Sequence, residues 1–299
     1  MQRRTALIAA LLLSITAACG QQEASGSSEP STSAAGGPQK VVVLDYNVLD
    51  TLASLGLQDR VVGTAVATLP EHLKVSYPGV TDVGTMQEPD VEKIAELAPD
   101  AIVIGGRTEA KKPELEKSAP TTTVTVDAAN WSTSFVSTQQ ALGDQFGQRS
   151  AVDDQLAKLD EQFAATKKLA KGKGDALVLL VSGGKLSAFG PGSRFGMIHG
   201  VLGVEAADPQ LKVDNHGQAV SFEYVKKVNP DRLYVIDRDA AIGQDGKSAR
   251  EVLDNELIAS TSAAKNGDVT YLDGARWYLL GNGLANTAEM TKAVQESLA

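Results

Sequence analysis

Two arginines in this sequence follow aliphatic runs that resemble buried strands. The run at 101–104 is followed by two glycines and Arg107, and the run in VNPDRLYVIDR ends at Arg238. Both places have the same order: Glu, six residues, Pro-Asp, six residues and Arg, which includes Glu92 and Glu223. Arginine offers planar donors to anionic oxygens and keeps its charge at physiological pH. The repeat predicts two similar lobes that each present one arginine.

A third arginine lies in the segment SGGKLSAFGPGSRFGMIHGVLG. There a loop rich in glycine and proline brings Arg194 to a predicted helix that starts near Phe195. The N-terminus of a helix favours anions. Ligands of open α/β sheets bind beyond the carboxyl ends of the strands. We therefore expect Arg107, Arg194 and Arg238 to face one cleft that receives an anionic, oxygen-rich ligand.

Two further residues offer ligands for iron near the same cleft. His216 lies in the polar loop DNHGQAVSF, and Tyr278 lies in ARWYLLGNGL after the last predicted strand. A neutral imidazole and a phenolate suit a ferric ion. One histidine and one tyrosine do not make a complete metal site. We expect them to complete the coordination shell of an iron that a chelator already holds.

Other kinds of site fit the sequence poorly. Ser193 lacks the Gly-x-Ser-x-Gly context of a hydrolase nucleophile, because Pro191 replaces the first glycine. SGGKLS lacks the P-loop spacing, and the three histidines do not cluster as zinc ligands do. No nucleophile–base pair is visible, so we assign no catalytic residue and do not expect an enzyme. A net charge of −9 argues against nucleic-acid binding.

The N-terminus carries an export signal. We predict a signal peptide over 1–18, in which Arg3 and Arg4 precede the apolar run ALIAALLLSITAA, which is too short for a stable membrane span. Two small residues then precede Cys19, the single cysteine, as in a bacterial lipobox. We expect cleavage before Cys19, lipid attachment to it and a flexible tether over 19–40. An ordinary signal peptide that happens to contain a cysteine is the alternative.

The remaining sequence alternates short aliphatic runs with helical segments, which is typical of α/β lobes with largely parallel sheets. Between about 134 and 170 it is polar and helix-prone, with apolar residues at helical spacing. We predict two Rossmann-like lobes, at 41–145 and 175–299. A single long helix at 146–174 joins them, and the ligand cleft lies between them.

These features resemble the iron-siderophore substrate-binding proteins of ABC importers. SGGKLSAFGPGSRFGMIHGVLG, HGQAVSFEYV, LYVIDRD and WYLLGNGL are similar to segments of the catecholate binders, of the enterobactin and petrobactin type. The resemblance covers nearly the whole mature chain and is strongest from Val181 onward. It implies the helical-backbone periplasmic-binding-protein fold, in which the long helix makes the hinge stiff and closure on the ligand small.

The resemblance also implies roles for the residues of the cleft. Arg107, Arg194 and Arg238 match the arginines that surround catecholate oxygens. His216 and Tyr278 match the residues that ligate iron, although the tyrosine requires an allowance of one residue in spacing. The ligand would be a ferric siderophore carrying Fe³⁺, and no intrinsic cofactor is implied. Other anionic iron chelates, such as citrate, a hydroxamate or haem, remain alternatives, and an exported hydrolase is a more distant one.

Partners follow from the same resemblance. Glu92 and Glu223 match family glutamates that dock onto arginines of the permease dimer, which works with its ATPase. We expect a monomer that the lipid on Cys19 holds at the outer face of the cell membrane. The long polar tether favours a Gram-positive cell surface, and the location would be periplasmic in a Gram-negative cell.

Overall fold

The computed structural model describes residues 36–214 and 216–299. The strands are β1 (Val41–Leu44), β2 (Val61–Thr64), β3 (Thr81–Asp82), β4 (Ala101–Ile104), β5 (Thr121–Thr123), β6 (Asp175–Ser182), β7 (Lys185–Phe189), β8 (Glu205–Ala206), β9 (Gln218–Val220), β10 (Arg232–Asp237) and β11 (Val269–Leu272). The α-helices are α1 (Tyr46–Ser54), α2 (Glu71–Ser76), α3 (Val91–Glu96), α4 (Lys112–Leu115), α5 (Trp131–Gln145), α6 (Arg149–Ala170), α7 (Met197–Gly200), α8 (Phe222–Val228), α9 (Arg238–Ala241), α10 (Ala249–Leu253), α11 (Glu256–Ala259), α12 (Ser262–Asn266) and α13 (Leu284–Leu298). Short 3-10 helices cover Gln58–Arg60 and Glu109–Lys111, and a π-helical turn covers Ala275–Leu280.

Each lobe is built around one sheet, which confirms the predicted pair of α/β lobes. The N-terminal sheet is parallel throughout, in the order β3-β2-β1-β4-β5. The C-terminal sheet has the order β11-β10-β6-β7-β9, with β8 paired to β6. Its strands β7 and β9 are antiparallel to their neighbours. Gly183 and Gly184 form the two-residue turn between β6 and β7 with φ of 55° and 73°, which glycine adopts without steric cost.

A 22-residue helix, α6, connects the lobes. It begins at Arg149 because Gly147, with φ of 68°, separates it from α5. It ends at Ala170, just before Gly172, with φ of 72°. The helix packs against α5 on one side and against α13 on the other. One continuous helix therefore runs from one lobe to the other.

The N-terminal lobe begins earlier than predicted. The carbonyl oxygen of Gly36 accepts a 2.6 Å hydrogen bond from Arg60 Nη1. The backbone N–H groups of Gln39 and Lys40 both donate to Asp100 Oδ2 at 2.9 Å. Residues 36–40 therefore belong to the folded lobe rather than to the tether. The signal peptide, Cys19 and the rest of the tether lie outside the described residues, among which no helix has the length and apolar character needed to cross a membrane.

The Pro-Asp repeat is a structural unit that occurs once in each lobe. Ala98 and Asn229 directly precede the two prolines, and within 36–214 and 216–299 they are the only non-glycine residues with positive φ, at 46° and 50°. Asp100 binds the backbone just before β1, and Asp231 Oδ2 accepts a 3.2 Å hydrogen bond from the first N–H of β6. Each aspartate thus ties its own strand to the first strand of its lobe.

The left-handed backbone at Ala98 predicts a stabilising substitution. An L-residue in this region costs about 1–2 kcal/mol, whereas glycine adds about 0.5–1 kcal/mol of unfolded-state entropy. We expect Ala98→Gly to raise the free energy of unfolding by about 0.5 kcal/mol. Urea denaturation measures it. The control, Ala95→Gly on the exposed side of α3, should lose about 0.5–1 kcal/mol. The same loss in both variants would contradict the prediction.

The C-terminal segment belongs to both lobes, although the sequence assigned it to one. In the π-helical turn, Leu279 and Leu280 pack in the core of the N-terminal lobe. Trp277 packs in the core formed with the C-terminal lobe and is 1% exposed. The turn therefore joins the two hydrophobic cores at the residues that flank Tyr278.

The N-terminus of α13 is capped by the opposite lobe. Asp50 Oδ2 of α1 accepts a 2.8 Å hydrogen bond from the N–H of Asn286, and Thr51 Oγ1 accepts one of 3.1 Å from the N–H of Leu284. The N-cap residue, Gly283, has no side chain, and a Cβ there would lie 2.5 Å from Asp50 Oδ2. Burial raises the pKa of Asp50 to about 6, against the lowering effect of the backbone hydrogen bonds from α13.

Candidate functional site

Three arginines surround the ring of Tyr278. Their guanidinium carbons lie 5.8 Å (Arg107), 4.4 Å (Arg194) and 5.5 Å (Arg238) from the ring centroid. Arg107 comes from the N-terminal lobe, and the other two come from the C-terminal lobe. The structure therefore brings the two arginines of the repeat and the loop arginine to one place between the lobes.

Hydrogen bonds tie the same cluster together. Arg107 Nη2 donates to the backbone carbonyl of Tyr278 at 3.1 Å, and Arg194 Nη2 donates to the same oxygen. Arg238 Nε donates to the Tyr278 hydroxyl at 3.0 Å. Burial raises the pKa of Tyr278, but the hydrogen bond from Arg238 and the three positive charges outweigh it, so the pKa lies below its usual range. Tyr278 therefore loses its hydroxyl proton more readily than an ordinary tyrosine does.

Two of the three arginines in the cluster have no carboxylate close to them among the described residues. Within the described parts of the chain, neither Arg107 nor Arg194 has an acidic oxygen within 4.0 Å. Burial lowers the pKa of Arg194, and the nearby charge of Arg107 lowers it further. Like charges at this spacing repel one another. A bound anion relieves that repulsion, so the arrangement favours an anionic ligand.

The first glycine after β4 leaves room for a neighbouring carboxylate. Arg107 follows β4 through Gly105 and Gly106, and a Cβ on Gly105 would lie 1.8 Å from Asp45 Oδ2. Asp45 needs that space because its other oxygen accepts a 2.8 Å hydrogen bond from the N–H of Asn47, which caps α1. The first glycine after the strand is therefore required by a packed carboxylate.

Arg194 is held differently from the prediction. The helix expected near Phe195 begins at Met197 and spans only four residues, ending at Gly200. A helix this short has little dipole, and Arg194 lies three residues before it. Anion binding at this loop therefore depends on the guanidinium itself.

The cleft has a volume of about 540 Å³. Arg107, Arg194, Arg238 and Tyr278 line it, together with His216. His216 is exposed on the loop between β8 and β9. All five residues predicted for ligand binding therefore lie around one cleft.

Sequence reasoning missed three other residues of the cleft. Leu180 and Ser182 lie two residues apart on β6 and so share one face of the sheet. Ser187 pairs with Leu180 across the β6–β7 hairpin. The two glycines of the turn signal the hairpin, and alternation along β6 then identifies its cleft-facing residues.

The two glutamates of the repeat lie away from the cleft. Glu92 and Glu223 are exposed, and each is the second residue of its helix, in α3 and α8. Asp90 and Ser221 cap the two helices. The lobes therefore present these carboxylates on their surfaces at equivalent positions, as the repeat predicts.

The chemistry of the cleft suits ligand capture. Among the described residues, no three His, Cys, Asp or Glu side chains are grouped closely enough to hold a metal ion. The cleft instead offers cationic donors with one imidazole and one phenolate. Two α/β lobes joined by a helix, with such a cleft between them, define a binding protein that receives an anionic ligand.

The chain belongs to the periplasmic binding protein family, whose sequence profile matches residues 41–275. The petrobactin-binding protein YclQ of Bacillus subtilis is 45% identical to it over 87% of this chain and 83% of that protein. The crystal structure of YclQ matches with a TM-score of 0.85 and 44% identity, over 88% of this chain and 93% of that one.

Two other solved structures have a similar fold. PiuA from Streptococcus pneumoniae, an iron uptake ABC transporter substrate-binding protein, has a TM-score of 0.84 and 37% identity, over 91% of this chain and 97% of that one. The periplasmic catecholate-siderophore binding protein VctP from Vibrio cholerae has a TM-score of 0.81 and 32% identity, over 87% and 94%. These comparisons confirm that the chain resembles the siderophore-binding proteins of ABC importers. The relatives named here are binding proteins rather than enzymes.

Proposed function

We propose that this protein captures a ferric catecholate siderophore outside the cytoplasm and delivers it to an ABC permease. The observation that carries the proposal is the cluster of Arg107, Arg194 and Arg238 around Tyr278. Relatives named for petrobactin and for catecholate siderophores favour this ligand class over citrate, hydroxamates and haem.

The chemistry of the chelate matches the cleft. A ferric catecholate is anionic, and arginines donate to its oxygens without displacing the metal. A chelator with four donor atoms leaves two positions open on six-coordinate iron. His216 and Tyr278 supply an imidazole and a phenolate for those positions. A chelator with six donor atoms needs neither of them.

Tryptophan fluorescence tests the proposal. Trp277 directly precedes Tyr278. Trp131 Nε1 donates a 2.7 Å hydrogen bond to Asn282 Oδ1, and Asn282 lines a second cavity, of about 140 Å³, together with Arg107 and Arg194. Titration with ferric catecholate, ferric hydroxamate and ferric citrate should give the strongest quenching with the catecholate. Stronger binding of citrate or the hydroxamate would favour an alternative chelate, and no quenching at micromolar concentration would refute the proposal.

Iron ligation by the side chains can be tested with two chelators. We expect His216→Ala and Tyr278→Phe each to weaken binding of a tetradentate ferric catecholate at least tenfold, or about 1.4 kcal/mol. A hexadentate complex should lose much less, because its iron has no open position. Fluorescence titration measures both. The controls, His72→Ala and Tyr271→Phe, change the same residue types outside the lining of the cleft. Equal losses on both chelates would count against ligation.

Membrane attachment is proposed on the basis of the sequence alone. The lipid on Cys19 would hold a monomer at the outer face of the membrane, and we favour a Gram-positive cell. We expect Cys19→Ala to move the protein from the membrane fraction to the soluble fraction, as fractionation and immunoblotting would show. Retention of the variant in the membrane would indicate another anchor.

A further inference from the structure

A buried carboxylate contacts the arginine cluster. Asp239 is 4% exposed and directly follows Arg238. Its Oδ1 lies 3.3 Å from Arg238 Nη1 and accepts a 3.2 Å hydrogen bond from Ser182 Oγ. Its Oδ2 accepts a 2.5 Å hydrogen bond from the N–H of Gly183. Both oxygens therefore have donors, as a buried carboxylate requires.

Arg238, Asp239 and Ser182 form a hydrogen-bonded triangle of side chains. Arg238 Nη1 also donates to Ser182 Oγ at 3.2 Å, so Arg238, Asp239 and Ser182 contact one another in pairs. Ser182 ends β6, and Gly183 begins the turn to β7. The carboxylate thus links the start of α9 to the β6–β7 hairpin, next to the cleft.

The other two arginines have a different set of contacts. Within 36–214 and 216–299 neither Arg107 nor Arg194 has a carboxylate partner, and both donate to the carbonyl of Tyr278. Both also line a second cavity of about 140 Å³ that Arg238 does not line. The three arginines therefore differ, because one is paired with a buried carboxylate and the other two line a second cavity.

We infer that Asp239 is a positioning residue that fixes the guanidinium of Arg238 for ligand binding. An arginine already held in one orientation loses less conformational freedom when the ligand binds. Arg238 then serves as the fixed donor against which the chelate is oriented. The inference rests on the proposed function, because it requires an anionic ligand in the cleft.

Electrostatics and positioning predict opposite effects of removing Asp239. Loss of a negative charge beside the arginines would by itself tighten binding of an anionic chelate. Loss of the fixed orientation would weaken it. A reduced affinity in Asp239→Ala therefore distinguishes positioning from a simple charge effect.

A double-mutant cycle tests the inference. Asp239→Ala is made in the full chain and in an Arg238→Ala background, and a ferric catecholate is titrated by tryptophan fluorescence. We expect about tenfold weaker binding in the first case, as for loss of a residue that orients a ligand group, and less than twofold further loss in the second. Asp239→Asn, which keeps an acceptor for Arg238, should lose less. Asp268→Ala is the control, because Asp268 pairs with Arg232 at the opposite end of β10, with a 3.0 Å contact.

The outcomes are separable. Unchanged or tighter binding by Asp239→Ala overturns the inference, and so does an equal loss in both backgrounds, which indicates a general structural role. If thermal melting shows that Asp239→Ala is unfolded, Asp239→Asn replaces it in the cycle, with a smaller loss expected in the full chain and no further loss expected in the Arg238→Ala background. Failure of the unmodified protein to bind any ferric chelate refutes the proposed function instead.

Discussion

Replacing Arg194 with alanine is expected to weaken binding of a ferric catecholate at least 100-fold, or about 2.7 kcal/mol. Burial lowers the pKa of Arg194, and Arg194 is the arginine nearest the Tyr278 ring, at 4.4 Å. A charge-assisted hydrogen bond in a desolvated site is stronger than one in water. Fluorescence titration of the purified variant gives the change in affinity, and the melting temperature shows whether the variant remains folded.

Two further variants sharpen this test. Arg194→Lys keeps the charge but loses the planar donors, so we expect an intermediate affinity. Arg149→Ala is the matched control, since Arg149 lies on α6 and pairs with Asp144 and Asp153 outside the cleft. Similar affinities of the alanine variants at positions 194 and 149 would show that the cluster does not bind the ligand.

Charge reversal at the two repeat glutamates should separate binding from uptake. We propose that Glu92 and Glu223 dock onto cationic residues of the permease, one from each lobe. A like charge at such a contact costs several kcal/mol, so Glu92→Arg or Glu223→Arg should lower siderophore-dependent iron uptake in cells at least tenfold. Affinity for the chelate should not change, because both residues are exposed and neither lines the cleft.

Uptake of radioactive iron and fluorescence titration together measure the two effects. Glu161→Arg, an exposed reversal on α6, should leave both unchanged. Lost affinity in the Glu92 or Glu223 variant would mean that these residues act in the cleft. Normal uptake in both variants would place the docking surface elsewhere.

The two lobes could be predicted from the sequence because the Pro-Asp repeat is formed by residues that are close together in the chain. A residue with left-handed backbone, a proline and an aspartate occur together at 98–100 and at 229–231, and each aspartate binds the neighbouring backbone. The same reasoning did not predict that Leu279 and Leu280 pack in the opposite lobe. The placement of these two leucines depends on packing between segments that are far apart in the chain. A short sequence pattern contains no information about such packing.

The residues of the site also divide into those that a local sequence pattern identifies and those that depend on distant contacts. Arg107 and Arg238 follow aliphatic strands, and both line the cleft, so their placement follows from a local pattern in the sequence. Asp239 was not predicted, because its importance depends on Ser182 and Gly183, which lie 56 or 57 residues earlier in the chain. Aspartate beside arginine is an ordinary surface pair in sequence, and only the packing of β10 against β6 buries it.

The cap that Asp50 and Thr51 place on α13 has an evolutionary consequence. A recombinant gene that joined the first half of this protein to the second half of a relative at α6 would separate the cap from the helix that needs it. Its product would carry an unmatched α1–α13 contact unless both partners had an acidic residue at position 50 and a glycine at position 283. Ligand range in such proteins is therefore expected to diverge by substitution within the cleft rather than by exchange of whole lobes.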